Sequence, residues 1–227
     1  MIHLLDNGYV RLVDHMGSDL SVVNSARVSY DKESKELSNK DSRLIKFLAT
    51  HDHTSPFRHA TLQFEVYAPL MVARQWWKYV VGSDHTMDSW NESSRRYITE
   101  EPVFYLPNGH EWRTTPENSK QGSGEPMSFQ EGKIWTDLLE NYIEEGMRRY
   151  QQAIACGVCA EQARLFLPAY GMYVRWYWTA SLQSVCHFIK QRVKADAQYE
   201  IQLYAHAVYD LTYEHFPVSV NNLVYGE

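Results

Sequence analysis

Residues 61–81 read TLQFEVYAPLMVARQWWKYVV, and the hydrophobic period changes in the middle of them. From Thr61 the positions alternate, with Leu62, Phe64, Val66 and Ala68 apolar against Gln63, Glu65 and Tyr67. Successive side chains of a strand point to opposite faces, so this is a strand with one buried face. Pro69 ends it and suits the first turn of a helix, where its missing N–H leaves no bond unmade. The aromatic-rich helix that follows carries Arg74, Gln75 and Lys78, whose i,i+3 and i,i+4 spacings put them on one side. Two readings stay open: that side holds an anion, or the helix is an ordinary amphipathic one followed by a solvated loop. Beyond it, a Gly82-Ser83-Asp84-His85-Thr86 turn leads into the polar cluster Ser89, Asn91, Glu92, Ser94, Arg95 and Arg96.

Toward the N-terminus, His51-Asp52-His53-Thr54-Ser55-Pro56-Phe57-Arg58-His59 places three histidines in nine residues around a proline bend. The spacing matches neither HExxH nor a finger, so the reading is a ligand-contacting or hydrogen-bonded loop and no metal is expected. Helical spacing through Leu44, Phe47 and Leu48 predicts a helix over 42–50, preceded by a polar surface loop over 31–40. A first strand over 9–14, closed by Gly17, feeds a helix capped by Ser18 or Asp19 that exits at Ala26-Arg27-Val28-Ser29-Tyr30.

Toward the C-terminus, 103–106 is strand-like and meets a Pro107-Asn108-Gly109 turn, and 112–132 reads as a long excursion. Ile134, Leu138, Leu139, Tyr142, Ile143, Met147, Tyr150 and Ile154 keep helical spacing to a stop at Gly157. A short helix over 160–166 displays Arg164, and 172–189 is densely aromatic and apolar, buried or at an interface. A last helix, capped by Asp196, runs to about His215. Cys156-Gly-Val-Cys159 lacks a second CxxC, so these thiols read as buried or semi-buried at a helix junction.

The chain has 227 residues, enough for one large domain, read here as a single domain over 1–227. Its 44% hydrophobic content fits a packed core, and 14% aromatic residues suit stacking on planar ligands. A net charge of −6 argues against non-specific nucleic-acid binding, so any anion site is local. No basic leader or membrane-length apolar run is present, and the expected location is cytoplasmic. Lys78, Arg95, Arg96, Arg164 and Arg192, with Gln75, Ser94 and the His-bearing loop, would form an anion and heterocycle site if they converge. Neither GxGxxG nor a Walker A sequence occurs, nor a convincing nucleophile.

The ordered set Ala26-Arg27-Val28-Ser29-Tyr30, His51-x-His53-x-Ser55-Pro56-Phe57-x-His59, Val72-Ala73-Arg74-Gln75-Trp76, Ser89-Trp90-Asn91-Glu92-x-Ser94-x-Arg96-Tyr97, Ala163-Arg164 with Leu167-Pro168, and Arg192 with Ala197-Gln198-Tyr199-Glu200-Ile201-Gln202 resembles the flavin-dependent thymidylate synthases along nearly the whole chain. The resemblance implies an α+β fold with an antiparallel sheet flanked by helices. It implies a homotetramer with shared sites, bound FAD reduced by NADPH, and methylenetetrahydrofolate giving a one-carbon unit to C5 of dUMP. By the same resemblance Gln75, Lys78, Ser94, Arg95, Arg96 and Arg164 hold the pyrimidine nucleotide, with Glu92 near it. Arg192 is the catalytic residue, stabilising negative charge that develops near N3. His53, Ser55 and Glu92 lie on the flavin, with Ser29 beside them.

The chain departs from its relatives at one place above all. The family's Arg-His-Arg triplet, then seven residues and Ser, stands here as Lys78-Tyr79-Val80, with thirteen residues, Val81 to Ser93, before Ser94. Cofactor positions that carry Asn and Arg in the family fall at Ser181 and Gln183, with His187 at a third. A longer loop beside the base and sugar could admit a 2′-hydroxyl. The rival reading is therefore C5-methylation of another pyrimidine nucleotide, such as UMP in a specialised nucleoside pathway, and a second rival is a non-catalytic flavoprotein or nucleotide-binding module.

Overall fold

In this computed structural model the described residues are 1–81, 88–93, 101–117 and 122–226, without the side chains at 80 and 81. Two strands, a short β1 (Ile2–Leu4) and a nine-residue β2 (Gly8–Met16), precede α1 (Asp19–Arg27) and α2 (Asn39–Thr50). Then come β3 (Thr61–Pro69), α3 (Leu70–Val81), β4 (Ser89–Glu92), α4 (Phe129–Ala155) and α5 (Ala160–Ala163). The chain finishes with β5 (Tyr173–Ser181), α6 (Leu182–Arg192), α7 (Tyr199–Tyr213) and α8 (Pro217–Val224). The five strands form one sheet in the order β1-β2-β3-β5-β4, antiparallel throughout. This is the α+β architecture expected from the resemblance.

The alternation in β3 does what a half-buried strand should. Leu62, Phe64, Val66 and Ala68 are opposite Ala180, Trp178, Trp176 and Val174 of β5, and all eight are buried. Helices α3 and α6 cover this face. Trp76 of α3, fully buried, stacks on Phe188 of α6 at 4.3 Å and meets Trp176 and Trp178 edge-on at 5.4 and 5.3 Å. The stretch 172–189 is thus two elements: β5 ends at Ser181, whose hydroxyl accepts from Ser184 N at 3.2 Å and caps α6.

The opposite face of the sheet is polar and centred on Glu65. Its carboxylate accepts from Tyr9 Oη (2.6 Å), Arg11 Nε (2.8 Å) and Tyr177 Oη (3.0 Å). Burial pushes this carboxyl up, but those three donors outweigh it and hold it below its ordinary value. A carboxylate depressed in the folded state contributes stability above its unfolded pKa, near 4.5, and loses it as pH falls through the lower folded value. Glu65→Gln is therefore expected to cost about 1.5–3 kcal/mol at neutral pH. That difference from wild type should shrink on acidification, which urea midpoints at several pH values will measure.

Several expectations are corrected by packing. The polar cluster after α3 begins with an edge strand, β4, because Trp90 stacks on Trp176 at 4.6 Å and is tied into the sheet. The segment 103–106 makes only a single bridge, Phe104 to Met172. Helix α2 starts at Asn39, three residues early, because Ser38 and Asp41 cap it reciprocally, and buried Asp41 also pairs with Arg27 at 2.6 Å. The cap of α7 is Gln198 and not Asp196. Cys156 and Cys159 lie at the junction of α4 and α5 but are exposed, because α4 stands off the core. Its buried residues are only Gly132, Thr136 and Gly146. At Gly132 the 107–109 turn comes so close that a Cβ would lie 1.9 Å from Gly109 O.

Candidate active site

Because β3 runs into α3 without a loop, with Leu70 N bonded to Met172 O at 2.9 Å, the start of α3 is fixed against β5. Gln75 and Tyr79, one turn apart, then meet Arg192, the last residue of α6. Arg192 Nη2 donates to Gln75 O at 3.3 Å, and its guanidinium carbon lies 4.9 Å from the centre of the Tyr79 ring. Arg192 Nε is buried with no acceptor among the described residues. Gln75 Nε2 bonds Met71 O at 3.3 Å and also Gln198 Oε1, at the N-terminus of α7. Three helices therefore converge on a permanently charged guanidinium that keeps an unspent donor. Such a group stabilises developing negative charge and does not transfer protons.

A cavity of about 340 Å³ lies along the neighbouring face of α6, lined by Gln183, Cys186, His187 and Lys190, and closed by Asp52 and Thr54 of the His-bearing loop and by Asn222 of α8. Gln183 Oε1 and Asn222 Oδ1 are both buried acceptors with no donor among the described residues. The Asn222 amide is oriented, since its Nδ2 donates to Val218 O at 2.8 Å. His187 joins the cavity to the Arg192 cluster, its ring 5.7 Å from that of Tyr79. Orphaned acceptors, a lysine and a histidine along one cavity fit part of a flavin dinucleotide, which brings ring N–H donors and phosphate oxygens.

The other candidates lie around these two centres. His53, Ser55 and Ser29 are exposed, and His53 stands edge-on to Phe47 at 5.7 Å. Ser181 is buried under α6, its hydroxyl engaged by Ser184. Glu92 on β4 accepts from Trp90 Nε1 at 3.4 Å; desolvation raises its carboxyl above the ordinary value, and the indole N–H pulls the other way. Lys78 is exposed on α3, and Arg164 is exposed on the 3-10 turn after α5, its Nε bonded to Glu161 O at 3.1 Å. Ser94, Arg95, Arg96, His85 and the Val80 side chain lie outside the described residues. Among the described residues no three His, Cys, Asp or Glu groups gather as a metal site, and no helix is long and apolar enough to cross a membrane.

Sequence reasoning missed Lys190 and Asn222 altogether, since neither sits in a recognisable pattern. It also missed the pairing of Tyr79 with Arg192, which are 113 positions apart in the chain. Gln198 was visible within the 197–202 motif but carried no assigned contact.

The family described as "Thymidylate synthase complementing protein" (Thy1) matches residues 11–218. The flavin-dependent thymidylate synthase of Wolbachia pipientis wMel is 38% identical over 221 residues, 97% of this chain and 75% of that protein. That of Thermotoga neapolitana is 38% identical over 216 residues, 95% and 90% of the two chains. Among solved structures, the UMP/dUMP methylase PolB of Streptomyces cacaoi bound with 5-Br dUMP superposes with a TM-score of 0.83 at 28% identity, covering 97% of this chain and 96% of that one. The same enzyme bound with 5-Br UMP gives 0.81 at 26% identity, covering 97% and 95%.

Proposed function

The chain belongs to the Thy1 family of flavin-dependent thymidylate synthases, enzymes that methylate pyrimidine nucleotides, and from that premise we propose that it converts dUMP to dTMP in the cytoplasm. When bound, FAD reduced by NADPH supplies the hydride that completes the methyl group begun by methylenetetrahydrofolate. The residues of the chain bind, orient and stabilise. Gln75, Lys78, Ser94, Arg95, Arg96 and Arg164 hold the nucleotide, its phosphate neutralised by the cations. Gln183 and His187 hold the flavin from α6, with Ser181 at that helix's cap, His53, Ser55 and Ser29 from the loops, and Glu92 between the two ligands. Lys78, Tyr79 and Val80 stand where relatives carry their flavin-contacting triplet.

The observation that carries this reading is Arg192, partly buried, its Nε without an acceptor among the described residues. A pyrimidine that becomes nucleophilic at C5 gathers negative charge on its ring, and a fixed cation beside it lowers the energy of that state. A thiolate attack on the ring has no support: burial pushes the Cys186 thiol up, while Cys156 and Cys159 are exposed where α4 meets α5. The homotetramer belongs to the same reading. Ile134, Trp135, Leu138 and Tyr142 of α4 are 60, 49, 55 and 60% exposed, an apolar stripe suited to a second copy.

A second reading has an observation of its own. The PolB structures hold analogues of both dUMP and UMP, so acceptance of a ribonucleotide is C5-methylation of UMP by the same residues. The test is a competition. Purified protein should be yellow and, given NADPH and methylenetetrahydrofolate, should release the C5 hydrogen of dUMP to solvent in preference to that of UMP. Equal or reversed preference moves the assignment to the ribonucleotide. A colourless protein that FAD cannot reconstitute removes both.

A further inference from the structure

We propose that Tyr79 is the positioning residue for Arg192, its ring holding the guanidinium plane in one orientation toward the nucleotide. The inference rests on the catalytic role given to Arg192 above. Tyr79 stands in the Lys78-Tyr79-Val80 stretch where the chain departs from the family resemblance, and its ring lies under the guanidinium at 4.9 Å from its carbon. Arg192 Nη2 is already bonded to Gln75 O, which fixes one edge of the fork, and the aromatic face fixes its tilt. Two restraints on one planar group leave little rotational freedom, and the buried Nε–H has no acceptor among the described residues.

The ring itself is held by the core. Tyr79 packs edge-on against Phe188 at 5.6 Å, Phe188 stacks on Trp76 at 4.3 Å, and Trp76 abuts Trp176 and Trp178. Phe188 and Arg192 are i,i+4 on α6, while Trp76 and Tyr79 are i,i+3 on α3, so the two helices present matched pairs to one another. An aromatic ladder thus runs from the sheet to the guanidinium. It gives Arg192 a fixed seat although it lies at a helix end. A histidine ring, smaller and able to take up a proton, would cover less of the guanidinium and could repel it.

The test compares Tyr79→Leu, Tyr79→Phe and Arg192→Ala in the FAD-loaded protein. Tyr79→Leu is expected to lower kcat roughly three- to thirty-fold, the range a cation–π contact carries, with a much smaller change in nucleotide Kd. Tyr79→Phe keeps the aromatic face and should lose far less. A second readout needs no turnover: phenylglyoxal should modify Arg192 several-fold faster in Tyr79→Leu than in wild type or Tyr79→Phe, with exposed Arg164 as internal reference in peptide mass spectrometry. Equal losses in the Leu and Phe variants would overturn the proposal, as would an unchanged Arg192 modification rate in Tyr79→Leu. If Tyr79→Leu does not fold, Tyr79→Met carries the same readouts. Normal turnover by Arg192→Ala would instead remove the catalytic reading of Arg192 while leaving the modification result to judge the geometry.

Discussion

Arg192→Ala is expected to reduce kcat by about 10²- to 10³-fold, the cost of removing one donor aimed at developing charge. Nucleotide affinity should change far less. In the proposed site the phosphate is held by Lys78, Arg95, Arg96 and Arg164, so most ground-state binding survives the loss of Arg192. A group that acts on charge appearing only in the transition state shows in kcat and not in Kd. Arg192 is suited to that because its guanidinium cannot deprotonate at any working pH. Its Nη2 is bonded to Gln75 O and its planar face lies over Tyr79, while the buried Nε has no acceptor among the described residues. Single-turnover rates at saturating dUMP, beside equilibrium binding of the nucleotide, separate the two quantities. A loss of affinity with turnover intact would reassign Arg192 to simple binding.

Trp76→Ala is expected to destabilise the protein by about 3–5 kcal/mol, the usual cost of emptying a large aromatic site in a close-packed core. Trp76 is fully buried and is the point where α3, α6 and the sheet meet, touching Phe188, Trp176 and Trp178. The neighbours that would have to collapse into the gap are themselves large rings fixed by strand register or by stacking, so little relaxation is available. A substantial fraction of the stability of a domain is lost by one such change. Denaturant unfolding followed by circular dichroism measures it. A midpoint shift corresponding to under about 1 kcal/mol would show that the ring stack is not what holds the two helices to the sheet.

The substitutions at Trp76 and Arg192 probe opposite ends of one aromatic series, and its two ends differed in how far they could be read. The alternation of 61–68 and the proline after it identified a half-buried strand running into a helix, and the structure has β3 and α3 there. The aromatic density of 172–189 signalled burial, but not its division at Ser181, because the buried face of β5 and the buried face of α6 are both apolar and the period changes without a break in composition. Edge strand β4 was hidden for the opposite reason: Ser89, Asn91 and Glu92 look like loop residues, and only the stacking of Trp90 on Trp176 makes them a strand. Helix α4 was recognised by its period from Ile134, although it begins at Phe129, inside the stretch read as an excursion, and period says only that one face is apolar and not what that face meets.

The ordered motifs from Ala26 to Gln202, read without coordinates, identified the family and named Gln75 and Arg192, because motif residues keep their identity and order along a chain. They also located the departure at Lys78-Tyr79-Val80, without its consequence. Tertiary structure alone decided that Tyr79 lies against Arg192, that Gln75 meets Gln198, and that Lys190 and Asn222 line the same cavity as Gln183. The reason is physical. Strand and helix periodicities are set by neighbours three or four residues away, whereas a cation–π contact or a cavity wall is set by how elements far apart in sequence come to lie on one sheet, a relation that no local pattern encodes.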